Sequence, residues 1–308
     1  MKTMKAFVRT NATTRDVEIT DLPVPTIEDD EVLVRVEAFG VGIHDRYYIP
    51  KDAEFPYTIG VEGAGRIAEL GSQVNDFAVG DRVIFTTVMQ SKGGAWAEYA
   101  AVKPATLVPM PDQLTFQEGA AIPVPVKTAL ESMRALDLSE GDSLFIAGAS
   151  GAIGTLVIQL AAARGIHAAG SASAQNHDYM TSLGADKTVD YHDTDWQQQI
   201  REWSGDGVTA ALAIQPGTGK ECIHVVKNGG KVVTVSGDQL ADEQGVTVQQ
   251  IGHHPDTQQD VIQLTKDIAD EKITLVIEND YPFEQGLDAL EKTETRHARG
   301  KSVVTTPN

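Results

Sequence analysis

Three glycines in the middle of the chain have the spacing of a phosphate-binding turn. Gly148, Gly151 and Gly154 follow the apolar segment 143–147 and open a segment with helical spacing of apolar residues, 152–164. Such glycines permit a tight turn, a close approach of the backbone to a pyrophosphate and close packing of the helix, whose first N–H groups face the anion. The alternative is a glycine-rich turn between any strand and helix. We expect a dinucleotide to be bound by Gly148, Ala149, Ser150, Gly151, Ala152, Ile153 and Gly154.

The end of the next predicted strand, 167–171, should select the cofactor. An NAD site usually places Asp or Glu about 20 residues after the first glycine, but the first carboxylate after this strand is Asp178. Side chains that donate hydrogen bonds can accept a 2′-phosphate here, which favours NADPH over NADH, although Arg and Lys are missing from this stretch. The alternative is that these are ordinary loop residues. The proposed donors are Ser171, Ser173, Asn176 and His177.

The elements around these residues form two regions with different patterns. Early in the chain, short runs of β-branched and alternating apolar residues are separated by Gly and Pro, which predicts an antiparallel, barrel-like region. From about residue 123, helices alternate with strands, which predicts a parallel sheet covered on both faces. The early strands are predicted at 4–10, 16–21, 31–40, 62–70 and 81–87. The later helices are predicted at 126–135, 152–164, 175–183, 194–203, 218–227 and 256–271, and the later strands at 143–147, 167–171, 186–190, 209–214 and 231–236.

The last part of the chain is predicted to return to the first region. Two further strands, 273–277 and 301–305, follow the final helix of the alternating region. The fold class is therefore α/β, with one discontinuous domain of residues 1–122 and 273–308 and one continuous domain of residues 123–272. We expect the active site at the carboxyl ends of the parallel strands.

The composition excludes several classes of partner. Of 308 residues, 44 are acidic and 25 basic, so the formal net charge of −19 repels nucleic acid and anionic membranes. We find no apolar run of the roughly 18 residues that a membrane span needs and no apolar signal core at the N-terminus. Cys222 is the single cysteine, which leaves no intrachain disulfide. These features predict a cytoplasmic enzyme.

Several ordered motifs along the whole chain resemble one family. The chain is similar to the medium-chain dehydrogenase/reductase superfamily, specifically to its zinc-independent quinone oxidoreductase branch. The resemblance implies a GroES-like β-barrel domain completed by the C-terminus, a doubly wound Rossmann domain, and a homodimer. The motifs that carry it are Gly40 to Asp45, Gly60 to Gly65, Gly80 to Val83, Gly93 to Tyr99, Gly148 to Gly154, Leu183 to Asp186 and Arg299 to Lys301.

Zinc-dependent members of that superfamily carry ligands that are missing here. They place a Cys-His pair where this chain has Gly42 and Ile43, and a Gly-His-Glu where it has Gly60, Val61 and Glu62. One cysteine cannot build their second, four-thiolate site. The adjacent His253 and His254, beside Pro255 in a predicted turn, are poor chelators without partners. We therefore expect no metal site.

The resemblance also suggests which residues line the reaction site. Tyr47 matches a tyrosine of the nicotinamide pocket, and an aromatic core residue is the alternative. Gly42 stands where this branch often has Asn, and His44 can compensate by donating to a substrate oxygen or relaying a proton; a surface or core histidine is the alternative. Asp45 is expected to hold its loop through backbone hydrogen bonds. Residues expected along the cofactor are Thr128, Ser236 and Gly237.

Absence of a metal favours a conjugated acceptor. Reduction of a simple carbonyl builds charge on an alkoxide that a Lewis acid stabilises, whereas a quinone or α,β-unsaturated carbonyl yields a delocalised anion that hydrogen bonds can stabilise. We therefore expect an NADPH-dependent reductase of quinones or enones. One alternative is an enoyl thioester reductase, which the acidic charge balance disfavours. Another is a non-catalytic NADPH-binding sensor or crystallin-like protein.

Overall fold

The structure, a computed structural model, describes residues 2–87, 90–254, 256–297 and 299–307. It contains two compact units, the first formed by Met1–Val124 with Val261–Asn308 and the second by Pro125–Asp260. None of the helices in the described ranges has both the length and the apolar character needed to cross a bilayer.

The first unit is built on antiparallel strands. A three-stranded sheet has the order β2-β1-β4, and a larger sheet has the order β15-β16-β3-β5-β6-β8, with β7 also paired to β3. The predicted strand 301–305 is present as β16 and pairs antiparallel with β3. The strands are β1 (Thr3–Arg9), β2 (Val17–Pro23), β3 (Val32–Val41), β4 (Tyr57–Thr58), β5 (Glu62–Leu70), β6 (Arg82–Thr86), β7 (Tyr99–Val102), β8 (Leu107–Pro109), β15 (Ile277–Pro282) and β16 (Lys301–Thr305). The helices are α1 (Phe116–Ala120) and α8 (Gly286–Glu294).

An aromatic cluster forms the centre of this unit's core. The rings of Phe39 and Trp96 stack with centroids 4.8 Å apart, and Phe7 meets Trp96 edge-on at 5.4 Å. All three side chains are fully buried. Phe39 lies on β3, whose β-branched residues make it a central strand. Because β3 is fixed on both sides, the turn that follows it starts from a rigid position.

The second unit is a parallel sheet with the order β11-β10-β9-β12-β13-β14. The chain enters at β9 and places β10 on one side and β12 on the other, so the order reverses next to β9. Ligands bind at the carboxyl ends of strands at such a reversal. The strands are β9 (Ser143–Ala147), β10 (His167–Ser171), β11 (Lys187–Val189), β12 (Val208–Ala213), β13 (Val226–Thr234) and β14 (Thr247–Gln250). The helices α3 (Ala152–Ala163), α4 (His177–Ser182), α5 (Trp196–Ser204) and α6 (Gly219–Ile223) lie within it, and α2 (Pro123–Leu136) and α7 (Thr257–Ala269) contain the unit boundaries.

The α/β fold class with a doubly wound parallel sheet is confirmed, but two predicted elements are wrong. The helix predicted at 218–227 ends at Ile223, and β13 starts at Val226 because its β-branched residues pair with β12. The strand predicted at 273–277 is displaced to β15. Glu271 ends α7 with φ +59°, and the N–H of Ile273 donates to Asp267 O, so this segment closes the helix.

Candidate functional site

In the glycine turn of the second unit, glycine occupies each of the three positions for a different physical reason. Gly148 has φ +88°, a conformation that favours glycine. A Cβ at Gly151 would meet no protein atom closer than 3.6 Å, which leaves the space in front of it open to a ligand. A Cβ at Gly154 would lie 2.5 Å from the carbonyl oxygen of Ala149, so only glycine allows this close packing of α3.

The start of α3 is suited to bind an anion. Gly151 is the N-cap residue, and the described residues provide no side-chain cap for the helix. The backbone N–H groups of the first turn are therefore free to face phosphate oxygens. This loop, including Ala149 and Ser150 and the first helical residues Ala152 and Ile153, fits the pyrophosphate of a dinucleotide.

Donors do lie beyond the end of β10, although one of them is already engaged. Ser171 is buried at the strand end, and the hydroxyl of Ser173 lies 3.3 Å from the hydroxyl of Tyr191. His177 Nε2 lies 3.2 Å from the carbonyl oxygen of Ala172 and donates to it. Asn176 immediately precedes α4. The hydroxyls of Ser173 and Tyr191 therefore form a pair of polar groups beyond the strand end.

A carboxylate near this position escaped the sequence analysis. Asp190 follows β11, far from the segment searched for an acidic residue, and its oxygens accept from Ala174 N at 2.9 Å and from the His192 backbone N and Nδ1 at 2.9 and 2.7 Å. The backbone N–H of His192 is the main cause of a lowered pKa of Asp190, against the opposing effect of burial. Because these donors occupy its oxygens, Asp190 organises the loop that holds Tyr191.

The other residues expected along the cofactor have varied surroundings. Ser236 follows β13, and its hydroxyl oxygen is buried without a hydrogen-bond partner in the described part of the chain. Gly237 has φ +79° and open space around it. Thr128 is half-buried on α2.

A cavity of about 370 Å³ is lined by residues 238–241, which follow Gly237 in the chain, and by residues 248–250. Asp238 is its one ionisable lining residue, and its carboxylate accepts from the backbone N–H groups of Gly217 and Gly219 at 3.0 Å. This carboxylate therefore fixes a loop.

In the first unit, a buried carboxylate organises the turn after β3. Asp45 is fully buried, and its Oδ2 accepts from the backbone N–H of Gly42 at 2.7 Å. The loop-holding role expected for Asp45 is therefore present in the structure. Burial raises the pKa of Asp45 to about 7, against the lowering effects of Lys301 and of the N–H groups of Gly42 and Val61.

His44 lies over Gly42. A Cβ at residue 42 would fall 2.5 Å from His44 Cε1 and 2.8 Å from Nε2, so the imidazole occupies the space that a side chain at 42 would need. The ring also faces Tyr48, with centroids 5.1 Å apart. Desolvation lowers the pKa of His44 to about 4, with Lys301 adding to the effect and Glu62 opposing it. His44 is thus a neutral imidazole at neutral pH.

A buried ion pair lies beside this turn. Lys301 on β16 pairs with Glu62 on β5, and the side chains are 6% and 0% exposed. The second oxygen of Glu62 accepts from the backbone N–H of Val124 at 2.8 Å. The sequence analysis noted each residue within a motif and missed the pair.

Tyr47 lies outside the core. Its side chain is 46% exposed, and the guanidinium carbon of Arg15 lies 4.6 Å from its ring centroid. Arg46 donates to Glu294 on α8 at 2.8 and 3.3 Å and to the carbonyl oxygen of Arg15 at 2.9 Å. These contacts place Tyr47 at a braced and accessible position.

The zinc-ligand positions of related enzymes do not fit a metal in this chain. Gly42 and Val61 offer no donor atom, and Glu62 is engaged by Lys301. Within the described ranges, no group of three or more His, Cys, Asp or Glu side chains could hold an ion. His253 Nδ1 instead bonds Glu131 at 2.8 Å and the backbone N–H of His254 bonds it at 3.0 Å, while Pro255 lies outside the described residues.

Comparisons with known proteins agree with this arrangement. A model of the alcohol dehydrogenase GroES-like domain matches residues 28–112, and a zinc-binding dehydrogenase model matches residues 183–304. A chloroplastic NADPH-dependent alkenal/one oxidoreductase of Arabidopsis thaliana is 30% identical over 320 residues, covering 98% of this chain and 80% of the relative.

A chloroplastic quinone-oxidoreductase homolog of Spinacia oleracea is 29% identical over 313 residues, covering 92% of each chain. The solved structure of the quinone oxidoreductase from Coxiella burnetii matches with a TM-score of 0.91 at 25% identity, covering 99% of this chain and 100% of that one. All these matches point to one superfamily and to a GroES-like first unit.

Proposed function

Because the chain belongs to the quinone oxidoreductase-like branch of the medium-chain dehydrogenase/reductase superfamily, we propose that it is a zinc-free, NADPH-dependent reductase of quinones or other conjugated carbonyl compounds. One observation carries the proposal: a dinucleotide-binding glycine turn occurs in a chain whose metal-ligand positions hold Gly42 and Val61. Bound NADPH supplies the hydride. The names of the relatives, an alkenal/one oxidoreductase and quinone oxidoreductases, support the same substrate class.

The residues of this chain then bind, orient and protonate. Tyr47 donates a hydrogen bond to the acceptor oxygen, and His44 is the second catalytic residue. A delocalised anion needs less stabilisation than an alkoxide, so hydrogen bonds replace the Lewis acid. The cofactor is held by the glycine turn, by Ser171, Ser173, Asn176 and His177 at the 2′-phosphate, and by Thr128, Ser236 and Gly237.

An acceptor panel tests the proposal. The protein, dialysed against a strong chelator, is mixed with NADPH and benzoquinone, phenanthrenequinone, cyclohexenone, crotonyl-CoA or a simple aldehyde, and NADPH oxidation is followed by absorbance. We expect turnover with the quinones or the enone and none with the aldehyde. A preference for crotonyl-CoA would indicate the enoyl thioester reductase, which the acidic composition disfavours because such an enzyme needs an extended and often basic groove for its carrier or coenzyme. NADPH binding without any turnover would indicate the sensor or structural alternative, and activity restored only by zinc would refute the metal-free mechanism.

The glycine turn has its own test within the same assay. Gly151→Val places a side chain in the space left open for the phosphates and should reduce NADPH affinity by at least about tenfold, measured by fluorescence titration. Gly252→Val is the matched control, because Gly252 likewise lacks a positive φ and the nearest atom to its Cβ, His254 Nε2 at 3.2 Å, belongs to an exposed side chain outside the turn. Equal NADPH affinity of wild type and Gly151→Val would refute the phosphate-binding assignment.

The assembly and location are part of the proposal. We expect a homodimer, as the family resemblance implies, and light scattering coupled to gel filtration measures it. A cytoplasmic location agrees with a single cysteine, Cys222, that is buried and whose pKa is raised by burial.

A further inference from the structure

Two buried polar atoms lie close together in the turn after β3, and neither makes a hydrogen bond within ordinary geometric limits. His44 Nε2 and Asp45 Oδ1 lie 3.7 Å apart, and neither has a partner of good geometry among the described residues. Leaving two such atoms unpaired in the interior is destabilising. The gap of 3.7 Å is too narrow for a bridging water and exceeds a direct hydrogen bond by less than about 1 Å. The arrangement is therefore that of a pair that shares a proton.

The absence of a side chain at Gly42 leaves the space that the imidazole of His44 occupies. Any side chain at residue 42 would collide with the imidazole of His44, as the 2.5 Å approach of a Cβ shows. Gly42 also donates its backbone N–H to Asp45 Oδ2, which leaves Oδ1 to face His44. Glycine at residue 42 is thus what allows the imidazole of His44 to occupy this position.

The ring has one buried and one accessible side. About a fifth of the His44 side chain, 21%, is exposed, whereas Nε2 is buried toward Asp45, which is 0% exposed. An imidazole can take up a proton at one nitrogen while it releases a proton from the other. His44 can therefore connect a buried carboxyl to a group on its accessible side.

We propose that His44 delivers a proton to the conjugated acceptor and that Asp45 is the positioning residue that orients and reprotonates it. This inference rests on the proposed function. After hydride addition at the β-carbon, the enolate carbon takes the proton of His44 Nδ1, and Nε2 takes the proton of the Asp45 carboxyl. Hydride and proton together complete the reduced carbon–carbon bond. Water then reprotonates Nδ1, and the Nε2 proton returns to Asp45.

Burial of the pair favours a proton on the carboxyl, against the opposing effect of Lys301. Burial raises the pKa of Asp45 to about 7 and lowers the pKa of His44 to about 4, so that near neutral pH the proton belongs to Asp45. Of the charged groups nearby, Lys301 lowers the pKa of both residues, and Glu62 opposes it at His44. The phenol of Tyr48 lies beside the imidazole ring. Reaction should therefore weaken as the pH rises through about 7 and Asp45 ionises.

Kinetics on two acceptors test the role of His44. Protonation of an enolate on carbon is slow without a catalyst, whereas a hydroquinone anion takes a proton on oxygen from water. His44→Ala should lower kcat for cyclohexenone about 100-fold and kcat for benzoquinone by a much smaller factor, with unchanged NADPH affinity. His297→Ala, which removes an exposed histidine, is the control and should leave both rates unchanged. Equal losses on the two acceptors, or no loss, would overturn the proposal.

Variants of the two neighbours test the pair itself. Asp45→Asn keeps an oxygen that accepts from Gly42 N–H but cannot supply a proton, so it should abolish the fall in cyclohexenone reduction above pH about 7. Gly42→Ala should displace the imidazole and lower kcat, yet have no further effect in the His44→Ala background. A pH profile unchanged in Asp45→Asn, or additive effects of Gly42→Ala and His44→Ala, would overturn the proposal.

A spectroscopic measurement separates this inference from the proposed function. Infrared difference spectra between wild type and Asp45→Asn detect a protonated carboxyl group without any turnover. If wild type reduces no acceptor, the proposed function fails, and a protonated Asp45 at mildly acidic pH that shifts on His44→Ala still supports the shared proton. A carboxylate that stays ionised there overturns the pair whatever the enzyme reduces.

Discussion

At the scale of single residues, His44 and Asp45 have opposite effects on stability that cancel. Burial lowers the pKa of His44 from 6.5 to about 4, so its contribution to folding is lost as the pH falls through this range. Burial raises the pKa of Asp45 from 3.8 to about 7, so its contribution is lost as the pH rises through that range. Between about pH 4 and 6.5, folding therefore releases a proton at one residue and takes one up at the neighbour.

Single substitutions should reveal how each residue alone makes the free energy of unfolding depend on pH. His44→Ala leaves Asp45 alone, so the free energy of unfolding should fall, relative to wild type, as the pH rises from about 4 to 6.5. In Asp45→Asn, His44 is the only one of the two groups that still titrates. The free energy of unfolding should therefore fall, relative to wild type, as the pH decreases over the same range. Each slope is at most about 1.4 kcal/mol per pH unit. Urea unfolding at several pH values measures both, and parallel slopes of the same sign would contradict the assigned protonation states.

At the scale of elements, contacts on two sides hold the turn that carries Tyr47. Asp45 fixes it from the interior, and Arg46 joins it to Glu294 on α8 and to the carbonyl oxygen of Arg15. The guanidinium of Arg15 in turn covers the ring of Tyr47. The position of the proposed hydrogen-bond donor therefore depends on α8 and on the loop between β1 and β2, neither of which contributes a reacting group.

A double-mutant cycle measures the brace between the turn and α8. Arg46→Met and Glu294→Gln should show a coupling of about 1 kcal/mol, because the two side chains are only 19% and 26% exposed and make two contacts. Each variant should also raise KM for the acceptor by loosening Tyr47. Lys5 and Asp21, 54% and 67% exposed and 3.6 Å apart, form the control pair and should show almost no coupling. If the coupling energy of Arg46 and Glu294 equals that of Lys5 and Asp21, the contact with α8 does not position Tyr47, and Asp45 alone holds the turn.

The same scale explains which features the sequence predicts. The glycine turn and the regular strands depend on neighbouring residues, and Gly148, Gly151 and Gly154 have the conformations and close contacts that their spacing implies. The segment 273–277 has the composition of a strand, but the end of α7 uses its first residues. Likewise, a side chain at residue 42 would collide with His44 only because of the path of the turn, and no residue pattern specifies that path. These two features are therefore determined by tertiary geometry, which the local residue pattern does not specify.

At the scale of the whole molecule, one buried ion pair joins distant parts of the chain. Glu62 and Lys301 are separated by 239 residues, and Glu62 also accepts from Val124 N at 2.8 Å. The pair thus links β5, the C-terminal strand β16 and the segment that enters α2. Sequence spacing gives no sign of such a contact, because each partner lies in an ordinary local motif.

Removal of the cation should be far more harmful than removal of both charges. Lys301→Met leaves the carboxylate of Glu62 buried without its partner and should lower the free energy of unfolding by about 3–5 kcal/mol. In Glu62→Gln/Lys301→Met the amide still accepts from Val124 N and no charge remains buried, so much of that loss should be recovered. Urea unfolding measures both variants, with Lys272→Met, in an exposed pair with Asp270, as a control that should change little. A loss for Lys301→Met no larger than for Lys272→Met would mean that the buried ion pair contributes little to stability. The return of the C-terminal strand would then depend on the pairing of β16 with β3 rather than on this charge.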